Sequence, residues 1–162
     1  MAFKSGFISV LGRPNVGKST LFNRLLGDKI AIVAEKPQTT RNRILGIKNV
    51  EGGQLIFLDT PGIHPGRSEL NQRMVRTAIA SGRDAEVILF LIEATAPRVE
   101  RDREMIEPLR GSSGIPFLVI NKIDLVKRKN LLPIMDRYQT LHSFKEILPV
   151  SAMTGEGIEI LL

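Results

Sequence analysis

The run Gly12-Arg13-Pro14-Asn15-Val16-Gly17-Lys18-Ser19 limits what this chain can fold into more than any other stretch. It fits G-x-x-x-x-G-K-[ST], and its flanks are those that such a loop needs. Before it, Phe7-Ile8-Ser9-Val10-Leu11 reads as a short buried strand. After it, Thr20 to Leu26 places Leu21, Phe22, Leu25 and Leu26 on one broad helical face. A strand that runs into a glycine-bounded turn and then a helix start makes a cradle for phosphate. Gly12 and Gly17 let the backbone approach an anion closely. Inward N–H groups and the helix N-terminus supply positive potential. Lys18 brings a compact charge to the β- and γ-phosphates, and Ser19 offers a hard oxygen suited to Mg²⁺. Val16 and Thr20 belong to the same binding stretch.

The 162 residues suit one domain with a proper core, and the 43% apolar and 25% charged content is ordinary for a globular protein. With no cysteine, neither a disulfide framework nor a thiolate metal site is available. Met1-Ala2-Phe3-Lys4-Ser5 does not open a signal peptide, and no segment approaches the roughly 18 apolar residues of a membrane span. The expected location is cytoplasmic, with peripheral membrane association left open. A net charge of +6 favours polyanionic partners without identifying one, because the basic residues are scattered and mostly explicable as solvated surface.

Further along, Gly27 to Asn42 is a long polar connection, and a loop of that length in a compact domain is usually functional. Arg43 to Asn49 predicts an edge-type strand, Glu51-Gly52-Gly53 a tight turn, and Gln54 to Asp59 a second strand, so the pair forms a hairpin. An irregular loop through Ser68 and a helix over Leu70–Arg83 follow. Val87 to Ile92 and Phe117 to Ile120 are continuously apolar, as strands covered on both faces must be. A charged helix over Arg101–Leu109 separates them. A helix over Leu131–Leu141, a short strand over Ile147–Val150, a loop over Ser151–Gly157 and a last helix from Ile158 complete the chain. Strands alternating with helices predict a doubly wound α/β fold: a mostly parallel six-stranded sheet with one antiparallel edge strand and helices on both faces. Ligands then bind outside the carboxyl ends of the strands.

The remaining motifs fall at those ends. Asp59 closes an apolar strand, where a carboxylate can serve Mg²⁺ through water, and Gly62 can present its N–H to a γ-phosphate. Thr40 can add a hydroxyl to Mg²⁺ when a γ-phosphate draws its loop inward. Asn121-Lys122-Ile123-Asp124 carries base choice. A carboxylate at Asp124 accepts from guanine N1–H and the 2-amino group together, whereas adenine would leave it repelled and unpaired. The Lys122 stem can lie along the base plane. In Ser151-Ala152-Met153, the Ala152 N–H can reach the guanine carbonyl oxygen. Together these segments imply a ligand of the GTP/GDP class.

These segments resemble the translation-factor-like GTPases over essentially the whole chain. Within that class, Gly27-Asp28-Lys29-Ile30, Lys36-Pro37-Gln38-Thr39-Thr40-Arg41-Asn42-Arg43-Ile44 and Asp59-Thr60-Pro61-Gly62-Ile63-His64 resemble the Era family of the TrmE–Era-like GTPases. The resemblance implies a P-loop G domain, Thr40 rather than Thr39 as the switch threonine, and slow Mg²⁺-dependent GTP hydrolysis in the service of small ribosomal subunit assembly. It also implies a carboxyl-terminal KH domain that engages 16S rRNA. No Gly-x-x-Gly clamp in an RNA-binding setting occurs here, so residues 1–162 are expected to be a G domain cut in or before its last helix. The fragment is expected to be a monomer or to self-associate weakly through the apolar surface so uncovered.

Hydrolysis is the step on which the residues speak least. Ras-like proteins place a water-orienting glutamine after the Asp-x-x-Gly glycine; this chain has Ile63, which cannot hydrogen-bond water. The resemblance implies a K⁺ ion near the phosphates held partly by Asn15, with Lys18, Thr40 and Gly62 as the other catalytic groups. As a plain loop residue, Asn15 would merely support the turn. His64 reads as switch-loop surface, and His142 as an uninvolved residue on a charged helix. Competing readings are a G domain of the Der or MnmE type, a nucleotide-dependent binding module with negligible hydrolysis, and a P-loop kinase or ATPase, the last opposed by Asp124.

Overall fold

In a computed structural model describing residues 3–27, 43–59 and 85–162, the strand that precedes the glycine-bounded loop runs through the interior of a six-stranded sheet. The strands are β1 (Lys4–Gly12), β2 (Arg43–Val50), β3 (Gly53–Asp59), β4 (Val87–Glu93), β5 (Ile115–Asn121) and β6 (Ile147–Pro149), in the order β2-β3-β1-β4-β5-β6. All neighbours pair in parallel except β2 and β3, which form the expected antiparallel hairpin at one edge. A bulge between Ile44 and Gly46 interrupts their register.

The two-residue side-chain period of a strand explains how continuously apolar strands support two layers. Ile88, Phe90 and Ile92 of β4, with Leu118 and Ile120 of β5, enter one core. Their alternates Leu89, Leu91 and Val119 enter another on the opposite face. The first core is covered by α2 (Val99–Ile106) and α3 (Leu131–Gln139), through Met105, Ile106, Ile134 and Tyr138. The second is covered by α1 (Lys18–Leu26) and the short α4 (Ile158–Leu161), through Leu21, Leu25 and Ile158. Each fully buried Leu, Ile or Phe contributes about 1.5–3 kcal/mol of transfer free energy, so both faces are needed. The parallel strands put Gly12, Asp59, Glu93, Asn121 and the exit of β6 on one edge of the sheet. Chain order reverses beside β1, which is where a doubly wound sheet forms its ligand crevice.

The expected architecture is therefore present, and the differences lie at helix ends. The helix expected over 101–109 begins at Val99 and gives way to a 3-10 turn over Glu107–Gly111. Pro108 cannot donate the N–H that would continue an α-helix. The helix expected to reach Leu141 ends at Gln139, where the Thr140 hydroxyl donates back to the Arg137 carbonyl at 2.7 Å. His142 is consequently not on that helix. It lies in the loop beyond, its ring tilted 37° against Phe144 at 5.3 Å between centroids. Both of its ring nitrogens are buried without a partner among the described residues. The helix expected over 70–83 lies outside the described residues.

An apolar groove of about 210 Å³ opens between β1, β3, β4 and the chain end, lined among others by Ile8, Phe57, Phe117 and Leu162. Ile160 and Leu162 stand exposed beside it.

Gly157, which starts α4, has φ +77°, and a Cβ there would lie 2.4 Å from the Pro149 carbonyl oxygen. Gly157→Ala is expected to lose about 1–3 kcal/mol of unfolding free energy, measured by urea denaturation.

Candidate nucleotide site

The glycine-bounded loop is shaped by contacts that leave no room for side chains. A Cβ on Gly12 would sit 2.5 Å from the Leu91 carbonyl oxygen. Gly17 has φ +101°, and a Cβ there would lie 2.2 Å from Asn121 Nδ2. Between them Asn15 adopts a left-handed φ of 64°, which asparagine tolerates better than most residues. Val16 is wholly buried and pins the underside of the loop to the core, so only its backbone faces a ligand. The Lys18 ammonium donates to the Gly12 carbonyl at 2.9 Å and the Arg13 carbonyl at 2.7 Å. An ammonium has three donors, so the described residues leave one over for an anion. Burial, and after it the Arg13 guanidinium, pull the Lys18 pKa down. Ser19 is exposed at the helix start and Thr20 half-buried behind it.

At the end of β5, Asn121 ties two loops together. Its Nδ2 donates to the Val16 carbonyl at 2.9 Å, and its Oδ1 accepts the Ala152 N–H at 2.9 Å. The Ala152 N–H, expected to face guanine, is thus turned toward Asn121. Lys122 has a left-handed backbone, φ 65°, which swings its side chain back over the phosphate loop. Its ammonium donates to the Asn15 carbonyl at 2.7 Å and to Glu93 Oε2 at 2.6 Å. Burial pushes the Glu93 carboxyl up, but the Lys122 hydrogen bond and charge outweigh this and leave it below its ordinary value. Asp124 is exposed in the short turn Ile123–Leu125, and its carboxylate has no partner among the described residues.

Ser151 is buried and builds its own loop. Its N–H donates to the Glu156 carbonyl at 2.9 Å and its hydroxyl accepts from the Thr154 N–H at 3.1 Å. Met153, by contrast, is exposed. The loop is braced from α1 by Arg24, whose Nε donates to the Ala152 carbonyl at 3.0 Å and whose Nη2 donates to the Met153 carbonyl.

The structure therefore brings together Gly12, Asn15, Val16, Gly17, Lys18, Ser19, Thr20, Asn121, Lys122 and Asp124, with Ala152 and Met153 beside them. The backbone of Asp59 ends β3 on the same edge. Thr40, Gly62, Ile63 and His64 lie outside the described residues. Sequence reasoning missed four supporting side chains: Glu93, Arg24, Asp102 and Arg13, the last paired with Asp102 at 2.7 Å. Only Asp102 carried a readable signal. It shares the helical face of Met105, Ile106 and Leu109, where a solvated carboxylate would not be placed.

Comparison with known proteins agrees with this geometry. The family described as 50S ribosome-binding GTPase matches residues 7–122. A GTPase Era from Syntrophus aciditrophicus is 55% identical over 160 residues, covering 99% of this chain and 52% of that protein. A crystal structure of Era in complex with MgGDPNP and nucleotides 1506–1542 of 16S ribosomal RNA superposes with a TM-score of 0.72 at 45% identity. That match covers 98% of this chain and 55% of the other. The G domain of the T. maritima FeoB iron transporter gives a TM-score of 0.68 at 26% identity, over 98% of this chain and 94% of that one. The chain spans about half the length of the curated relatives it matches.

Asn121→Ala strands the Val16 carbonyl and the Ala152 N–H inside the protein. It is expected to cost about 1–3 kcal/mol in urea denaturation and to speed amide exchange at Ala152.

Proposed function

This chain belongs to the 50S ribosome-binding GTPase family, and we propose that it is the guanine-nucleotide-binding portion of an Era-type switch that hydrolyses GTP slowly. The observation that carries the reading is the joining of two recognition loops through one side chain. Asn121 ties the phosphate loop to the base loop, while the described residues leave the third Lys18 donor and the Asp124 carboxylate both open to a ligand.

The residues fit a nucleoside diphosphate or triphosphate. Lys18, the loop N–H groups and the start of α1 take the phosphates. Asp124 takes guanine N1–H and the 2-amino group, with Lys122 alongside the base. Ala152 spends its N–H on Asn121, so the guanine carbonyl oxygen is assigned to the next N–H along the turn, that of Met153. Ser19 has an exposed hydroxyl with no partner among the described residues, which fits a Mg²⁺ ligand, with Asp59 and Thr40 as the other oxygen donors. The ion supplies neutralisation of charge that develops on the phosphates. Thr40 and Gly62 read the γ-phosphate and make the GTP-bound loops differ from the GDP-bound ones.

Era relatives with bound MgGDPNP and 16S rRNA support a role in small-subunit assembly for the longer protein of which this chain would be part. A KH-type domain in the remaining half would hold the RNA. No helix among the described residues is long and apolar enough to cross a membrane.

Ile63 cannot orient water, so hydrolysis needs positive charge from elsewhere. Asn15 is exposed at the loop crest, with its carbonyl committed to Lys122 and its side-chain oxygen available for K⁺. GTP turnover in KCl against matched NaCl, with ATP as the control, is expected to show stimulation by K⁺ and no ATP turnover. Asn15→Asp should change the K⁺ response; an unchanged response would remove the proposed ligand. Asp124→Asn replaces an acceptor pair with a donor and an acceptor. It is expected to weaken GDP binding by about 100-fold or more and to favour xanthosine diphosphate, whose C2 oxygen accepts from the amide. Competition binding with both diphosphates checks this.

A further inference from the structure

Behind the phosphate loop, three side chains from three elements form a buried chain. Arg13 donates through Nε to Asp102 Oδ1 at 2.7 Å and through Nη2 to the Ala96 carbonyl at 3.3 Å. The other oxygen of Asp102 accepts from the Tyr138 hydroxyl. Asp102 on α2 and Tyr138 on α3 are both 0% exposed, and the Arg13 side chain is 13% exposed. None of the three is needed to recognise phosphate or guanine.

We propose that Asp102, held by Tyr138, is a positioning residue for the phosphate loop: by fixing Arg13 it sets the Gly12 and Arg13 carbonyls that hold the Lys18 ammonium. Arg13 precedes Pro14, so its backbone is confined to extended conformations. Anchoring its side chain at two points then orients its carbonyl. That carbonyl is 2.7 Å from Lys18 Nζ, nearer than that of Gly12 at 2.9 Å. A merely structural role explains the arrangement less well. The face formed by Asp102, Met105, Ile106 and Leu109 is otherwise apolar, and a buried ion pair is often no more stabilising than apolar residues of the same volume. Burial in fact pushes the Asp102 carboxyl above its ordinary range, against the pull of Tyr138 and Arg13. The carboxylate is therefore expensive in its place, and what it holds is the first side chain of the loop.

The inference rests on the nucleotide reading above, so the wild-type chain is measured first with N-methylanthraniloyl-GDP. Affinity and release rate are followed by fluorescence, and the nucleotide-free melting midpoint by calorimetry. Tyr138→Phe keeps the volume and removes only the hydroxyl; it is expected to weaken binding about fivefold. Asp102→Asn, which keeps the shape but removes the charge, should weaken it about tenfold, mostly through faster release. Ile134→Val, on the same helix as Tyr138 and in the same core, should lower the midpoint while leaving affinity within about twofold.

The triple variant Arg13→Met, Asp102→Leu, Tyr138→Phe removes every polar member together. It is expected to recover the midpoint but not the affinity. Tyr138→Phe and Asp102→Asn chains that bind as wild type does would overturn the positioning role, and so would a triple variant with wild-type affinity. A wild-type chain that binds no probe would overturn the nucleotide reading and this inference together.

Discussion

One amide side chain makes a single site out of three strand ends. Asn121 donates to the Val16 carbonyl, accepts the Ala152 N–H and packs where any Cβ on Gly17 would be. It is 2% exposed, so both hydrogen bonds form in a medium where an unmade one costs about 1–3 kcal/mol. The fit works in both directions. Gly17 must lack a side chain because Asn121 is there, and Asn121 can reach Val16 because Gly17 lacks one. The next residue exploits the same turn. The left-handed backbone of Lys122 sends its ammonium back to Asn15 and Glu93, while the Asp124 carboxylate stays exposed, with no partner among the described residues.

Charge is arranged around this frame with a consistent polarity. Two carboxylates beside the phosphate loop, Asp102 and Glu93, are each bound to a cation that is itself a support, Arg13 and Lys122. Among the described residues Lys18 pairs with no carboxylate; two carbonyls hold it, and it is partly buried beside another cation. A polyanion entering the loop therefore meets an ammonium that the described residues leave without a counter-charge, and binding relieves the cost of burying it.

Much of this could be read from residues alone, and the rest was hidden for definite reasons. Val87 to Ile92 and Phe117 to Ile120 announce strands buried on both faces, because unbroken apolar runs can only be satisfied by two cores. Gly12 to Ser19 and Asn121 to Asp124 stand out in the sequence because recognition of an anion and a base would demand particular side chains at fixed spacing. The partner of the Ala152 N–H could not be read. It depends on the distance between two loops that are remote in sequence, and no local pattern encodes that distance. Arg24 looks like any solvated arginine of an amphipathic helix until the base loop is placed over it. Asp102 was half-readable: its helical phase put it inside, but its neighbours Glu100, Arg101 and Arg103 made the segment look like charged surface. The ends of α2 and α3 were misplaced because a proline and a back-bonding threonine act over single hydrogen bonds, well below the scale of periodicity.

The bonds that complete the site span large separations along the chain, 105 residues from Asn121 to Val16 and 128 from Arg24 to Ala152. Strand β1 and helix α1 come early in synthesis, yet the Asn121 and Lys122 bonds that hold the loop between them form only once β5 has emerged and docked. The Ala152 bonds to Asn121 and Arg24 form only after β6. Long-range closures of this kind are entropically costly and form late in folding. A ligand that needs the finished geometry binds only the folded chain, and by mass action draws the whole population toward it. The cradle that begins near the amino terminus thus acts as a gauge of completeness. Affinity for its ligand reports whether the far end of the domain has arrived.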